Sequence, residues 1–191
     1  MKYLEKVQDA YRATNEIGVP TPKKIKFSNN RKLSKHKIDS IYKQCLYAFN
    51  KFGWLNSSHI YNQCVLVNTT AFKVITTVLK IRAYLTIGYT KINGNPINET
   101  TLEKLKTELL NPNFESPLPI HVWITLEDGT VIDWTTEASL TQHENKVKGI
   151  DKCLLHINPE EVTGCEFIPI LVGEDYLDKI GFYDAELRNC K

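Results

Sequence analysis

The chain has 191 residues, enough for one domain with an N-terminal extension, and its 42% hydrophobic content supports an ordinary buried core. Twenty-four Lys and Arg against 22 Asp and Glu leave a net charge of +2. This near balance argues neither for nor against a polyanionic partner. The five cysteines, Cys45, Cys64, Cys153, Cys165 and Cys190, are odd in number and widely spaced. A disulfide-framed secreted domain shows a denser, even set. The opening "MKYLEKVQDAYRATNE" is polar and has no apolar signal core, and no apolar run is long enough for a membrane span. These features give a default expectation of a soluble cytoplasmic protein, with export by a signal-less route left open.

Taken in chain order, residues 2–17 place Leu4, Val7 and Tyr11, with Ala10 as a further candidate, on one face of a first helix, which Gly18 and "VPTP" end. Residues 20–36, rich in Pro, Lys, Asn and Ser, read as a long exposed connection. Its basic residues, among them Lys23, Lys24 and Lys26, read as a solvated face in preference to a nucleic-acid or lipid contact, so no clear nucleic-acid or membrane signal is present. A second helix begins after Ser34, with Ile38, Ile41, Tyr42, Cys45, Leu46 and Phe49 as its apolar stripe and Gly53 at its end. "NSSHIYNQ" reads as polar loop. From Cys64 to about residue 80, β-branched residues favour strand but the periodicity of Val67, Ala71, Val74, Ile75 and Val78 favours helix, and the length decides for helix. Ala83 to Ile92 alternates as a strand, and "NGNP" turns the chain. Residues 99–110 form a short helix, and "NPNFESPLP" is a loop leading to His121.

"IHVWITLEDGTVIDWT" reads as a β-hairpin about Asp128-Gly129, a favoured type I′ dipeptide. A two-residue turn there pairs Glu127 with Thr130. It sets His121 opposite Thr136 and Asp133 opposite Ile124, so Asp133 and His121 fall on different faces. "CLLHI" and "EFIPILV" read as further strands, followed by a short helix near "EDYLDKIGF" and a loose tail. Helices first and strands later indicate an α+β fold with N-terminal helices on a mainly antiparallel sheet. Residues 1–50 are the helical extension, part of the same domain, and 51–191 the core.

Cys64, His121 and Asp133 carry the chemistry. A thiol becomes a nucleophile as the thiolate, which a helix N-terminus and an imidazolium stabilise. A carboxylate on the other ring nitrogen fixes the imidazole tautomer. Gln63 and the Cys64 N–H are candidate donors to an oxyanion. His59 is a rival base, though a loop histidine is more often solvated. Cys153-x-x-His156 has a zinc-like spacing without a second pair. No P-loop, dinucleotide fingerprint or serine-hydrolase elbow is present.

The pieces "QCVLVNTTAF", "LKIRAYLTIGY", "IHVWITL" and "GTVIDWT" span about 70 residues, from Cys64 to Thr135. This segment resembles the transglutaminase-like branch of the papain-like cysteine protease superfamily. The resemblance implies a papain-like α+β fold with Cys64 opening a helix, His121 and Asp133 on neighbouring strands, and a register that brings their side chains together. Where members often carry Gly two residues before the Cys, or an aromatic after it, this chain has Asn62 and Val65. Trp123 and Trp134 are expected to flank a substrate cleft, to pack in the sheet, or both.

The expected function is a cysteine hydrolase or acyltransferase working through a thioester, without metal or organic cofactor, on a protein or peptide substrate. Hydrolysis of a peptide or amide bond is the first expectation. The alternatives are a non-catalytic binding module of the same fold, or an effector or toxin transglutaminase or deamidase acting on a foreign protein.

Overall fold

A computed structural model describes residues 2–22, 24–28, 32–113 and 118–182. The helices are α1 (Tyr3–Glu16), α2 (Lys35–Lys51), α3 (Ser57–Ile60), α4 (Cys64–Lys73), α5 (Leu102–Leu110), α6 (Thr136–His143) and α7 (Asp175–Lys179). A π-helical turn, Val74–Val78, extends α4. The strands are β1 (Ala83–Ile92), β2 (Asn95–Ile97), β3 (His121–Leu126), β4 (Val131–Asp133), β5 (Leu155–Ile157) and β6 (Cys165–Val172). The chain is thus a mixture of helices and antiparallel strands, as its pattern implies. Lys23 and Cys190 lie outside the described residues, as do the middle of the loop before His121 and most of the tail. No helix among the described residues is long and apolar enough to cross a membrane.

The structure divides into two compact units. The first comprises Met1–Ile25, Thr86–His121 and Thr163–Lys191. Here α1 packs along β6 and buries Tyr3, Val7, Ala10 and Thr14, a helical stripe. Thr14 is the polar member of that stripe and is satisfied twice. Its Oγ1 donates to the Ala10 carbonyl at 2.8 Å and accepts the Val172 N–H at 2.9 Å. β1 and β2 form a hairpin with Ile92 opposite Asn95. Its two turn residues, Asn93 and Gly94, have φ of 50° and 82°, as a type I′ turn requires. β6 pairs antiparallel with β1, and the register jumps by one residue where Gly88 faces Pro169. A proline lacks the N–H a regular ladder needs, and a bulge is where a strand tolerates it.

The second unit comprises Lys26–Leu85 and Val122–Val162. The first fifty residues therefore contribute to both units, 1–25 to one and 26–50 to the other. Ser34 caps α2, whose Ile41, Cys45 and Phe49 are fully buried. Phe49 meets the Trp134 ring edge-on at 5.0 Å, and Tyr42 stacks on Trp134 at 6.0 Å. Described residues of the connection before α2 are hydrogen-bonded to the rest of this unit. The Tyr84 hydroxyl accepts the Lys26 N–H at 2.7 Å, Ser28 N–H donates to the Glu127 carbonyl, and Leu33 N–H donates to Asp128 Oδ2.

β3, β4 and β5 form an antiparallel ladder, with Ile124 opposite Ile132, Thr125 opposite Val131, and Ile132 opposite His156. This register corrects the expected hairpin. Of the Asp128-Gly129 pair, Gly129 alone has positive φ (86°), whereas a type I′ turn needs both. The Asp128 carboxylate instead accepts the Thr130 N–H at 3.0 Å and its hydroxyl at 2.6 Å, which holds Asp128 in an Asx turn. Leu126 N–H bonds to the Thr130 carbonyl, leaving a three-residue loop of Glu127, Asp128 and Gly129. The pairing shifts by one residue, and that flips faces. Val131 shares the face of Thr125. Asp133, two residues on, therefore points to the side of the odd-numbered residues of β3 and not to that of Ile124.

Candidate active site

Cys64 is the first residue of α4 and is half-buried. The chain reaches it through α3, which replaces the expected loop because Asn56 Oδ1 caps the Ser58 N–H at 3.0 Å. Asn62 then takes φ of 57° in the left-handed region. Asparagine tolerates that region better than other residues with a Cβ, and glycine tolerates it best. Asn62→Val is expected to cost about 1–2 kcal/mol in urea unfolding, whereas Asn62→Gly stays within about 0.5 kcal/mol.

Gln63 occupies the N-cap of α4 and makes no side-chain capping bond. The start of this ten-residue helix is where the partial positive charge of aligned peptides concentrates, beside the Cys64 sulfur. Two other thiols are more deeply buried. Burial pushes Cys45 up to about 12 and Cys153 up to about 11, from an ordinary 9.0, and the Cys153 thiol donates to the Gly149 carbonyl. Both stay protonated and unreactive near neutrality. Because burial raises the folded-state value, the stability they lend is complete below pH 9 and is lost as pH climbs toward about 12. Cys45→Ala is expected to flatten that alkaline decline in a pH series of urea melts.

His121 is the first residue of β3 and is 5% exposed. Its ring lies 6.4 Å from that of Phe167, tilted by 38°. Asp133 ends β4 and is fully buried. Its Oδ1 accepts the Thr135 N–H at 2.8 Å, the Thr135 hydroxyl at 3.0 Å and Asn68 Nδ2 at 3.1 Å, with the Thr136 N–H at 3.4 Å. Oδ2 accepts the Thr136 hydroxyl at 2.6 Å. Five donors therefore converge on this one carboxyl group. The same bonds start α6, an element absent from the sequence reading, whose signal was the run Asp-Trp-Thr-Thr-Glu with an acceptor side chain ahead of its first turn.

Asn68, fully buried one helical turn after Cys64, was not foreseen. Its amide nitrogen donates to the Val122 carbonyl at 2.8 Å, to Asp133 and to Thr135 Oγ1 at 3.2 Å, and its oxygen accepts the backbone N–H of Trp134 at 3.1 Å. A polar residue four positions after Cys64 inside an otherwise apolar helix was the available clue.

Trp123 and Trp134 are both 0% exposed. The contacts of Trp134 with Phe49 and Tyr42 are core packing, and neither indole reaches solvent to line a cleft. His59 lies in α3, where Nδ1 accepts the Leu55 N–H at 3.2 Å. Among the described residues, no three His, Cys, Asp or Glu side chains are placed to hold a metal ion. No family model matches the chain, and no curated protein or solved structure is similar enough to count as a match.

Proposed function

We propose that the chain is a cysteine-dependent acyl-transfer enzyme of the transglutaminase-like kind, with Cys64, His121 and Asp133 as its triad. His121 takes the thiol proton as Cys64 sulfur attacks a peptide or carboxamide carbonyl carbon. The tetrahedral oxyanion draws on the Cys64 N–H and the Gln63 amide. The C–N bond then breaks, and the imidazolium returns its proton to the leaving amine. Water or an amine resolves the thioester and regenerates the thiol. Asp133 holds the imidazole in its working tautomer.

The observation that carries this reading is the position of Cys64: a half-buried thiol at the first residue of a helix, entered through a left-handed asparagine. A peptide library incubated with the protein and read by mass spectrometry tests the reading. Cleaved peptides indicate a protease, amide-to-acid conversion a deamidase, and amine cross-links a transglutaminase. None of the three in the wild type, or the same products from Cys64→Ala, overturns it.

One observation favours a second reading, a non-catalytic binding module. The hydrogen bonds of Asp133 build the turn into α6, a structural role that needs no reaction.

A further inference from the structure

The bonds of Asn68 go beyond what a helix needs to pack. An amide in a sealed interior must satisfy two N–H donors and an oxygen, and a small apolar residue would satisfy the helix without that demand. Here the demand is met by one short stretch of chain on either side of Asp133. Three acceptors share the two amide hydrogens: the Val122 carbonyl, the Asp133 carboxylate and the Thr135 hydroxyl. The oxygen takes the Trp134 N–H. Thr135 closes the ring, since its Oγ1 accepts from Asn68 and donates to Asp133 Oδ1. The helix that begins at Cys64 is therefore joined through a single side chain to β3, to β4 and to the carboxylate itself.

We infer that Asn68 is a positioning residue that fixes the Asp133 carboxylate against the helix headed by Cys64. This rests on the triad reading above. A carboxylate with several acceptor sites can rotate or slide unless its donors are anchored elsewhere. Asn68 anchors Oδ1 from α4, and Thr135 locks the angle. The other oxygen, Oδ2, is held by the Thr136 hydroxyl, which belongs to α6 and not to the nucleophile's helix. Of the side chains that donate to Asp133 in these bonds, Asn68 is therefore the one that links it to α4. Its loss should alter how well the carboxylate serves an imidazolium, and so how readily the Cys64 thiolate persists in acid.

The test is alkylation of Cys64 by iodoacetamide, followed by peptide mapping, as the ratio of the rate at about pH 6 to the rate at about pH 9. An unassisted thiol, ionising near 8.5, loses most of its rate at the lower pH, and one paired with an imidazolium keeps it. The wild type is expected to keep it. Asn68→Ala and Thr135→Val are each expected to lower the ratio by about tenfold, the equivalent of one pH unit. Thr135→Ser, which retains the hydroxyl, restores it. Thr135→Val conserves volume, so it decides the matter if Asn68→Ala fails to fold. A structural role alone would lower the melting temperature and leave the ratio where it was. If Asp133→Asn lowers the ratio but the Asn68 and Thr135 variants do not, the positioning role is wrong and the triad stands. If the wild type behaves as an unassisted thiol, the triad reading fails and the role of Asn68 with it.

Discussion

Asp133→Ala is expected to destabilise the fold by about 3–5 kcal/mol, a fall of about 10 °C in melting temperature for a chain of this size. Asp133 is fully buried, and its carboxylate is the shared acceptor for Asn68 and for the backbone and hydroxyls of Thr135 and Thr136. Removing it leaves those donors buried and without their acceptor, and each such group costs about 1–3 kcal/mol. The turn from β4 into α6 loses the carboxylate that ties Thr135 and Thr136 together at the same time. Asp133→Asn separates this structural role from the chemistry. Its oxygen can take the Oδ1 position, where the backbone N–H groups and Asn68 require an acceptor. Its NH2 can face Thr136 Oγ1, a hydroxyl that is able to reverse. We expect Asp133→Asn to cost about 1 kcal/mol in stability and to lose about a thousandfold or more in turnover, because a neutral amide does not stabilise an imidazolium. Calorimetry and product formation on the same preparations check both halves. Equal effects of the two substitutions on stability would remove the hydrogen-bond account.

Cys64→Ser is expected to behave in the opposite way. The residue is half-buried at a helix start, and serine is close to cysteine in size and helix propensity, so stability stays within about 0.5 kcal/mol. Turnover is expected to fall by about a thousandfold or more, since an alkoxide is far harder to generate beside the same base and removing a nucleophile is among the largest single losses an enzyme shows. Unfolding curves that overlay, together with lost product, make the expected pair of results. Full activity in the serine or alanine variant would assign the chemistry elsewhere.

Most of the large elements were legible because periodicity and length agree in them. The stripe Ile41, Cys45, Phe49 announces α2, and the alternation of "AYLTIGYTKI" announces β1. The segment after Cys64 was harder, since β-branched residues pull toward strand. Helix wins through Val67 and Ala71, but the run of Val74, Ile75, Thr76 and Thr77 widens into a π turn, where the Thr76 hydroxyl bonds back to the Phe72 carbonyl. Short elements were hidden because side-chain hydrogen bonds create them. Asn56 makes α3 and Asp133 makes α6, and neither shows as an apolar pattern.

The hairpin register was misread for the same reason. Asp128-Gly129 suggests a type I′ turn, yet the Asp128 side chain prefers Thr130, while the type I′ turn forms at Asn93-Gly94. For the candidate site, residue chemistry pointed to Cys64, His121 and Asp133. It did not point to Asn68, whose role depends on partners more than fifty positions away. The tryptophans were read for their size, which fits a cleft or a core equally, and Trp134 proves to be core.

The central claim is that the Cys64 sulfur forms a thioester. The most direct measurement is the intact mass of the protein quenched in acid during turnover of an activated amide or ester peptide. The account predicts an acyl adduct that maps to Cys64, is released by hydroxylamine and is absent from Cys64→Ala. An adduct that survives hydroxylamine, or one that still forms in Cys64→Ala, would contradict it.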